Sequence, residues 1–339
     1  MAKKNDSAAC PRADIGGQAV LDGVMMKSPD AIAVAVRREN GDVVVKREEY
    51  VSPAKKHKWM GLPFIRGSVN MVQMMGLGMR VLEDSMKMSG NEEAQEEPTK
   101  FEKWLAEKLG KGVDKVVMGI AMVLAVILSL GLFVLLPNIP TRLLTEAGWS
   151  PLAVNLMSGV IRTVLLITYI WAVGKVPDMR RTFQYHGSEH KTVYCHEAGL
   201  PLTPENAQKF STLHPRCGTS FILITFILSI LLYTTIDYII LGLTGFNLSS
   251  NYFIKVLSRL LLLPLVTGVS YEALKGLAHS ETKVCRMLRW PGLQLQRLTT
   301  RQPTNEMCEV AIASMNAALN GLPEGQKTPE GWVILPKAA

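Results

Sequence analysis

The sequence predicts an α-helical polytopic membrane protein with four transmembrane helices and a cytoplasmic α+β N-terminal part. Three observations carry this expectation. Four apolar runs are each long enough to cross a bilayer. Lys and Arg gather at one end of those runs. Valine-rich stretches with a strong turn signal fill the N-terminal part, ahead of the first run.

The first run, residues 116–136, reads VVMGIAMVLAVILSLGLFVLL and holds no charge; Pro137 and Pro140 are expected to close it. The second, 152–173, carries one charge, Arg162, and the third and fourth occupy 221–243 and 252–274. Arg162, Asp237 and Arg259 are costly within such spans and are expected to pair with one another. Lys103, Lys108, Lys111 and Lys115 precede the first run, Lys175, Arg180, Arg181, Lys191, Lys209 and Arg216 lie between the second and third, and Lys275, Lys283, Arg286 and Arg289 follow the fourth. By the positive-inside rule the segment 174–220 and both termini are cytoplasmic, in a multi-pass protein of the cell (inner) membrane.

Bulk properties agree with this placement. The chain has 339 residues, 48% of them hydrophobic, too apolar for one ordinary soluble domain. Five scattered cysteines make no disulfide framework, which suits a reducing compartment. The net charge of +8 is explained by the span flanks, so no nucleic acid is expected as a partner. The start, MAKKNDSAACPRADIGG, lacks the apolar core of a cleavable signal peptide.

The linear order suggests four regions. Residues 1–90 form a cytoplasmic β-hairpin and amphipathic-helix region. Its opening Gly16-Gly17 pair allows tight turns or close approach to another chain. Residues 31–51 are valine-rich on both sides of Asn40-Gly41, a hairpin signal. Residues 62–88 are apolar at helical spacing with five methionines between Met71 and Met86, which fits a helix on the membrane surface or one packed in a soluble core. Residues 91–115 are an acidic linker and a Lys-rich lead-in helix. Residues 116–274 are the four-helix membrane domain with its loop at 174–220. Residues 275–339 are a cytoplasmic C-terminal segment, where Trp, Leu and Arg suggest a surface-hugging stretch before an amphipathic helix at 305–319 and a Gly/Pro-rich tail.

The loop carries the chemistry. Residues 184–220 hold four of the six histidines and two of the five cysteines. Pro177 and Asp178 are expected to start a helix that runs to about Glu197 and stops at Gly199, with Gly187 a weak point inside it. On that helix His186-Gly-Ser-Glu189-His190 puts two imidazoles four residues apart on one face, spacing that offers two nitrogens to one metal. The order H-x-x-E-H also matches inverted zinc peptidases, in which the Glu is the catalytic base. His214-Pro-Arg-Cys217 supplies a second ligand pair of a kind that suits zinc or another divalent transition metal. Four protein ligands favour a structural site, and three plus an open position favour catalysis. His196 lies off the ligand face and reads as a surface residue, Cys195 as a small buried group, and Lys191 and Arg216 as flank charges. Glu272, at the inner end of the fourth span, could complete the metal shell, orient a histidine, or simply cap a helix end.

The segments GGQAVLDGVMM, FIRGSVNMVQMMGLG, FQYHGSEHKTV, HPRCGTSF and LLPLVTGVSYE occur in this order along nearly the whole chain. Together they resemble the YqhQ-like family of bacterial integral membrane proteins, an uncharacterised family of predicted metal-dependent enzymes. The resemblance implies motif positions at Gly16, Gly17, Gln18, Gly23, Arg66, Gly67, His186, Glu189, His190, His214, Cys217 and Glu272. Asp22 stands where the family pattern leads one to expect Glu. The residues and the resemblance lead to one expectation: a zinc-dependent hydrolase at the cytoplasmic membrane face, acting on a peptide or lipid-linked substrate. His186, His190, His214 and Cys217 would hold the metal, with Glu189 and Glu272 as catalytic carboxylates. The alternative is a non-enzymatic translocation or assembly factor stapled by a structural metal. The expected partners are the lipid bilayer and membrane-protein substrates or translocation machinery.

Overall fold

A computed structural model describes residues 15–90, 113–246, 252–279 and 282–337. The expected linker and most of the lead-in helix lie outside the described residues.

The N-terminal part is an antiparallel sheet. Gly16–Val20 (β1) and Gly23–Lys27 (β2) form a tight hairpin around Leu21 and Asp22. Asp22 sits at φ 52, a left-handed conformation that a short polar residue tolerates. Ala31–Arg37 (β3) and Val43–Glu49 (β4) pair from Ala31↔Glu49 to Arg37↔Val43 around the Asn-Gly turn, so the hairpin legible at 31–51 is present. The tail adds Gln326–Lys327 (β5) and Val333–Leu335 (β6), and β6 pairs β4. The six described strands run in the order β1-β2-β3-β4-β6-β5. Both faces are buried. Val24, Met26, Ala33, Ala35 and Val45 belong to one core, and Met25, Ile32, Val34, Val36 and Val44 to the other. A strand covered on both sides has no polar face, which is why these segments are valine-rich rather than strictly alternating.

Helices cover the two faces. Ile65–Ser89 (α1) lies on the second core through Leu77, Val81 and Met88. Lys46 pairs with Asp84 at 2.8 Å, and Arg38 Nε donates to the Met88 carbonyl at 3.0 Å, which pins the end of α1 to the sheet. Along α1 a row of Val72, Met75, Met79, Leu82 and Met86 is left exposed.

The apolar runs are helical: Val113–Leu130 (α2), which continues through a π-helical turn at Gly131–Leu135, Asn138–Glu146 (α3) and Pro151–Val173 (α4). Pro177–Glu197 (α5) and the short Pro204–Gln208 (α6) follow, then Gly218–Thr244 (α7) and Tyr252–His279 (α8). Lys283–Thr299 (α9) and Asn305–Asn320 (α10) come last. Among the described residues four stretches are long and apolar enough to cross a membrane: Met122–Leu144, Leu156–Val173, Ile224–Thr244 and Val256–Leu277. The first stretch extends past Pro137 and Pro140, but its helix ends at Leu135, ahead of Pro137 as expected, and a new helix starts at Asn138. Leu136 N–H bonds to the Gly131 carbonyl at 2.9 Å and carries the chain to Pro137. Pro140 then falls in the first turn of α3, where its missing N–H is not needed.

The chain divides into two compact units. Met1–Gly90, Ile170–Ser229 and Asn247–Ala339 form the first, and Asn91–Tyr169 with Ile230–Phe246 the second. In the second, Phe133 meets Tyr169 edge-on with ring centroids 5.7 Å apart. In the first, α10 crosses β2, β3 and β4 beside α5, and α5 packs on β1. There too α1 crosses α8 at Gly67 and Gly268, with Arg66 gripping Glu272.

Candidate metal centre

Helix α5 has the bounds its sequence predicts, because Pro177 presets the first turn, Asp178 meets its positive end, and Gly199 leaves it at φ 66. Tyr185, Glu189 and Val193 occupy one row and are buried. His186 and His190 lie on the adjacent row, close enough for their ring centroids to be 4.4 Å apart. Gly187 is not simply a weak point. The segment after α9 crosses α5 here, with Arg301 N–H bonded to the Phe183 carbonyl at 2.8 Å, and a Cβ on residue 187 would lie 2.1 Å from the Arg301 oxygen.

Both imidazoles are oriented by backbone carbonyls. His186 Nδ1 is 2.9 Å from the Thr299 oxygen and His190 Nδ1 is 2.5 Å from that of Thr212. A carbonyl can only accept, so each ring carries its proton on Nδ1 and keeps a lone pair on Nε2. His186 Nε2 lies 3.2 Å from Cys217 Sγ, and His190 Nε2 is buried without a hydrogen-bond partner. One ligand atom from each of His186, His190 and Cys217 falls within 4.8 Å of the other two. Cys217 directly precedes α7, and its sulfur is 3.5 Å from the Thr219 N–H and 3.2 Å from the Thr219 hydroxyl. Two oriented imidazoles and a cysteine sulfur are the donor types that hold zinc.

His214 stands outside this triple, its ring centroid 5.6 Å from that of His190. Gln296 fixes its backbone from both sides, accepting the His214 N–H and donating to the His214 carbonyl, each at 2.8 Å. Its Nδ1 accepts the Arg216 N–H at 3.3 Å, so in the neutral ring the proton sits on Nε2, 3.7 Å from Glu197 Oε2. Glu197 in turn pairs with Arg216. No local pattern marks Gln296 or Glu197, whose roles exist only in three dimensions.

Glu189 is buried beneath the centre. It accepts a hydrogen bond from the Gly17 backbone, its Oε2 has no hydrogen-bond partner, and His186 and His214 are its charged neighbours when protonated. Burial raises its pKa above the ordinary carboxylate range. The glycine pair has its reason here: a Cβ on Gly17 would lie 2.7 Å from the Met25 oxygen and 2.8 Å from Glu189 Cγ.

The other singled-out residues lie around the centre. Glu272 is held by Arg66 through both carboxylate oxygens at 2.7 and 2.5 Å, and it is not part of the triple. Asp22 pairs with Arg181 at 2.5 Å and so ties the β1–β2 turn to the start of α5. Lys191 does more than flank a span. It is buried, and its ammonium donates to the Gln208 and Phe210 carbonyls at 3.0 and 2.6 Å, bracing the loop that presents Thr212. Cys195 is fully buried with Ala207 and Cys308.

Burial also disfavours the charged form of two of the imidazoles. It lowers the pKa of His190 and pushes that of His214 from 6.5 to about 4. The unfolded chain therefore binds more protons below pH 6.5, and folding stability falls as pH drops toward the folded-state values. Thermal melting of metal-free protein between pH 7.5 and 4 should show this loss. For His214 alone it amounts to on the order of 3 kcal/mol at full titration, and His214→Gln should flatten that part of the profile.

The family model described as protein of unknown function (DUF1385) matches residues 62–321. An uncharacterized protein, YqhQ of Bacillus subtilis (strain 168), is 32% identical over 323 residues, covering 94% of this chain and 97% of its own. No solved structure matches.

Proposed function

The chain belongs to the DUF1385 family, and we propose that it is a membrane-embedded, metal-dependent hydrolase with its centre at the cytoplasmic face. The observation that carries this reading is the triple of His186, His190 and Cys217. Three convergent donors with His214 set apart match the catalytic pattern of three protein ligands and an open position, rather than a closed staple of four. Zinc or another divalent transition metal suits these donors, and when bound it polarises a scissile carbonyl or phosphoryl group and acidifies water.

The chain's own groups would then divide the work. Thr299 and Thr212 keep both Nε2 lone pairs aimed inward. Glu189 Oε2 takes a proton and returns it to the leaving group, a role that its raised pKa suits. Glu272 anchors α1 on α8 through Arg66 and acts by positioning. The basic flanks support a reading in which both termini and α5 face the cytoplasmic side of the inner membrane. A site so close to the spans favours a peptide or lipid-linked substrate.

Metal analysis tests the reading. Purified wild-type protein is expected to hold about one transition-metal ion per chain, and His186→Ala or Cys217→Ser to lose most of it while keeping the wild-type elution volume. A wild-type preparation without stoichiometric metal, together with a normally folded His186→Ala, would sink both metal readings.

A second reading, an assembly or translocation factor with a structural metal, is favoured by the exposed methionines of α1. Such a surface adapts to varied apolar partners.

A further inference from the structure

Helix α9 has two faces with different tasks. Arg289, Gly292, Leu295, Gln296 and Thr299 are buried at intervals of three or four. This face serves the metal centre directly: Gln296 brackets the His214 backbone, and the Thr299 carbonyl receives the His186 Nδ1 proton. The opposite side is open and carries Met287 and Trp290, exposed at 71% and 60%, while Val284 and Leu288, exposed at 64% and 50%, continue the first side toward the start of the helix. Nothing in the proposed hydrolase uses it.

Charge and chain position say what covers it. From Thr282 through Asn305 there is no acidic residue, while Lys283, Arg286 and Arg297 are exposed on α9. The helix begins three residues beyond the end of α8, whose apolar stretch Val256–Leu277 is long enough to span a membrane. An exposed apolar surface with a Trp, bordered by exposed cations, matches the headgroup layer of an anionic bilayer. We propose that α9 is a membrane-surface helix whose Val284, Met287, Leu288 and Trp290 sink among the acyl chains of anionic phospholipids. Lys283, Arg286 and Arg297 meet the headgroup phosphates. Lipid contact on one face then steadies Thr299 and Gln296 on the other.

The inference depends on the membrane reading of α8 and not on the metal, and the test separates them. A photo-crosslinking benzoylphenylalanine is placed at Met287 in the full-length protein, in nanodiscs of phosphatidylcholine with or without 30% phosphatidylglycerol, where ~30% is an arbitrary but common composition for electrostatic lipid binding. Leu261, 73% exposed on α8, is the control position. Phospholipid adducts are expected at both positions by mass spectrometry. At position 287 alone the yield should rise several-fold with phosphatidylglycerol, and Lys283→Glu with Arg286→Glu should remove that rise. Adducts at 261 but none at 287, adducts at 287 to protein, or a yield at 287 that ignores phosphatidylglycerol would each overturn the proposal. Failure at 261 as well would overturn the membrane reading with it.

Discussion

Glu189→Gln is expected to keep its metal, lose its activity and fold more stably than wild type at neutral pH. The amide is isosteric and leaves His186, His190 and Cys217 untouched, so metal content should remain that of wild type. It cannot take up a proton, and losing a general base typically costs about 10²–10⁴-fold in rate. The stability change has a definite sign. The folded pKa of Glu189 is raised above its ordinary value of 4.5 by burial, so its contribution is fully present below pH 4.5 and is lost as pH rises through the folded value. Gln carries no such penalty. The melting temperature of metal-free variant and wild type should coincide near pH 4 and separate in favour of the variant above it. Complementation of cells lacking the wild-type protein supplies the functional readout. A variant that retains metal and complements fully would remove the catalytic role and leave the structural one.

Gly187→Ala should be severe, although Ala is the better helix former by up to about 1 kcal/mol. The added Cβ would meet a backbone oxygen, that of Arg301, at 2.1 Å, and a main-chain carbonyl cannot rotate away as a side chain can. Either α5 or the crossing segment must move, which disturbs the Arg301–Phe183 hydrogen bond and, two residues earlier, the Thr299 carbonyl that orients His186. Overpacking of this kind costs about 1–3 kcal/mol. A lower melting temperature and weaker metal retention are expected together. Gly276→Ala, whose Cβ would meet nothing within 4 Å, is the matched control and should be neutral or slightly stabilising. Equal behaviour of the two variants would refute the close crossing.

Local features were legible in the sequence where the cause is local. Pro177, Asp178 and Gly199 bound α5 because caps act within a turn, and Asn40-Gly41 marked the β3–β4 hairpin because a two-sided valine pattern needs only its own neighbours. Pairings across long stretches left no such trace. That Gly17 lies against Glu189, that Thr299 orients His186, and that Gln296 brackets His214 all join segments more than 80 residues apart. The pairing of two histidines four apart was readable from helical period alone. The separation of His214 from Cys217 was not, since His-Pro-Arg-Cys is a turn whose two side chains diverge. Pro137 was legible for a local reason as well: the helical stretch ends at Leu135, and a new helix starts at Asn138.

The β4–β6 pairing also sets an order of events during synthesis. Val43–Val45 cannot acquire their partners Val333–Leu335 until those residues have been translated, and the four long apolar stretches all precede them. The N-terminal sheet therefore waits, its β4 edge open, while the rest of the chain is delivered, and a ribosome that stalls before residue 333 yields a product whose β4 edge stays unpaired. The β4–β6 strand pair therefore forms late, after the segments that carry His186, His190 and Cys217 have all been made.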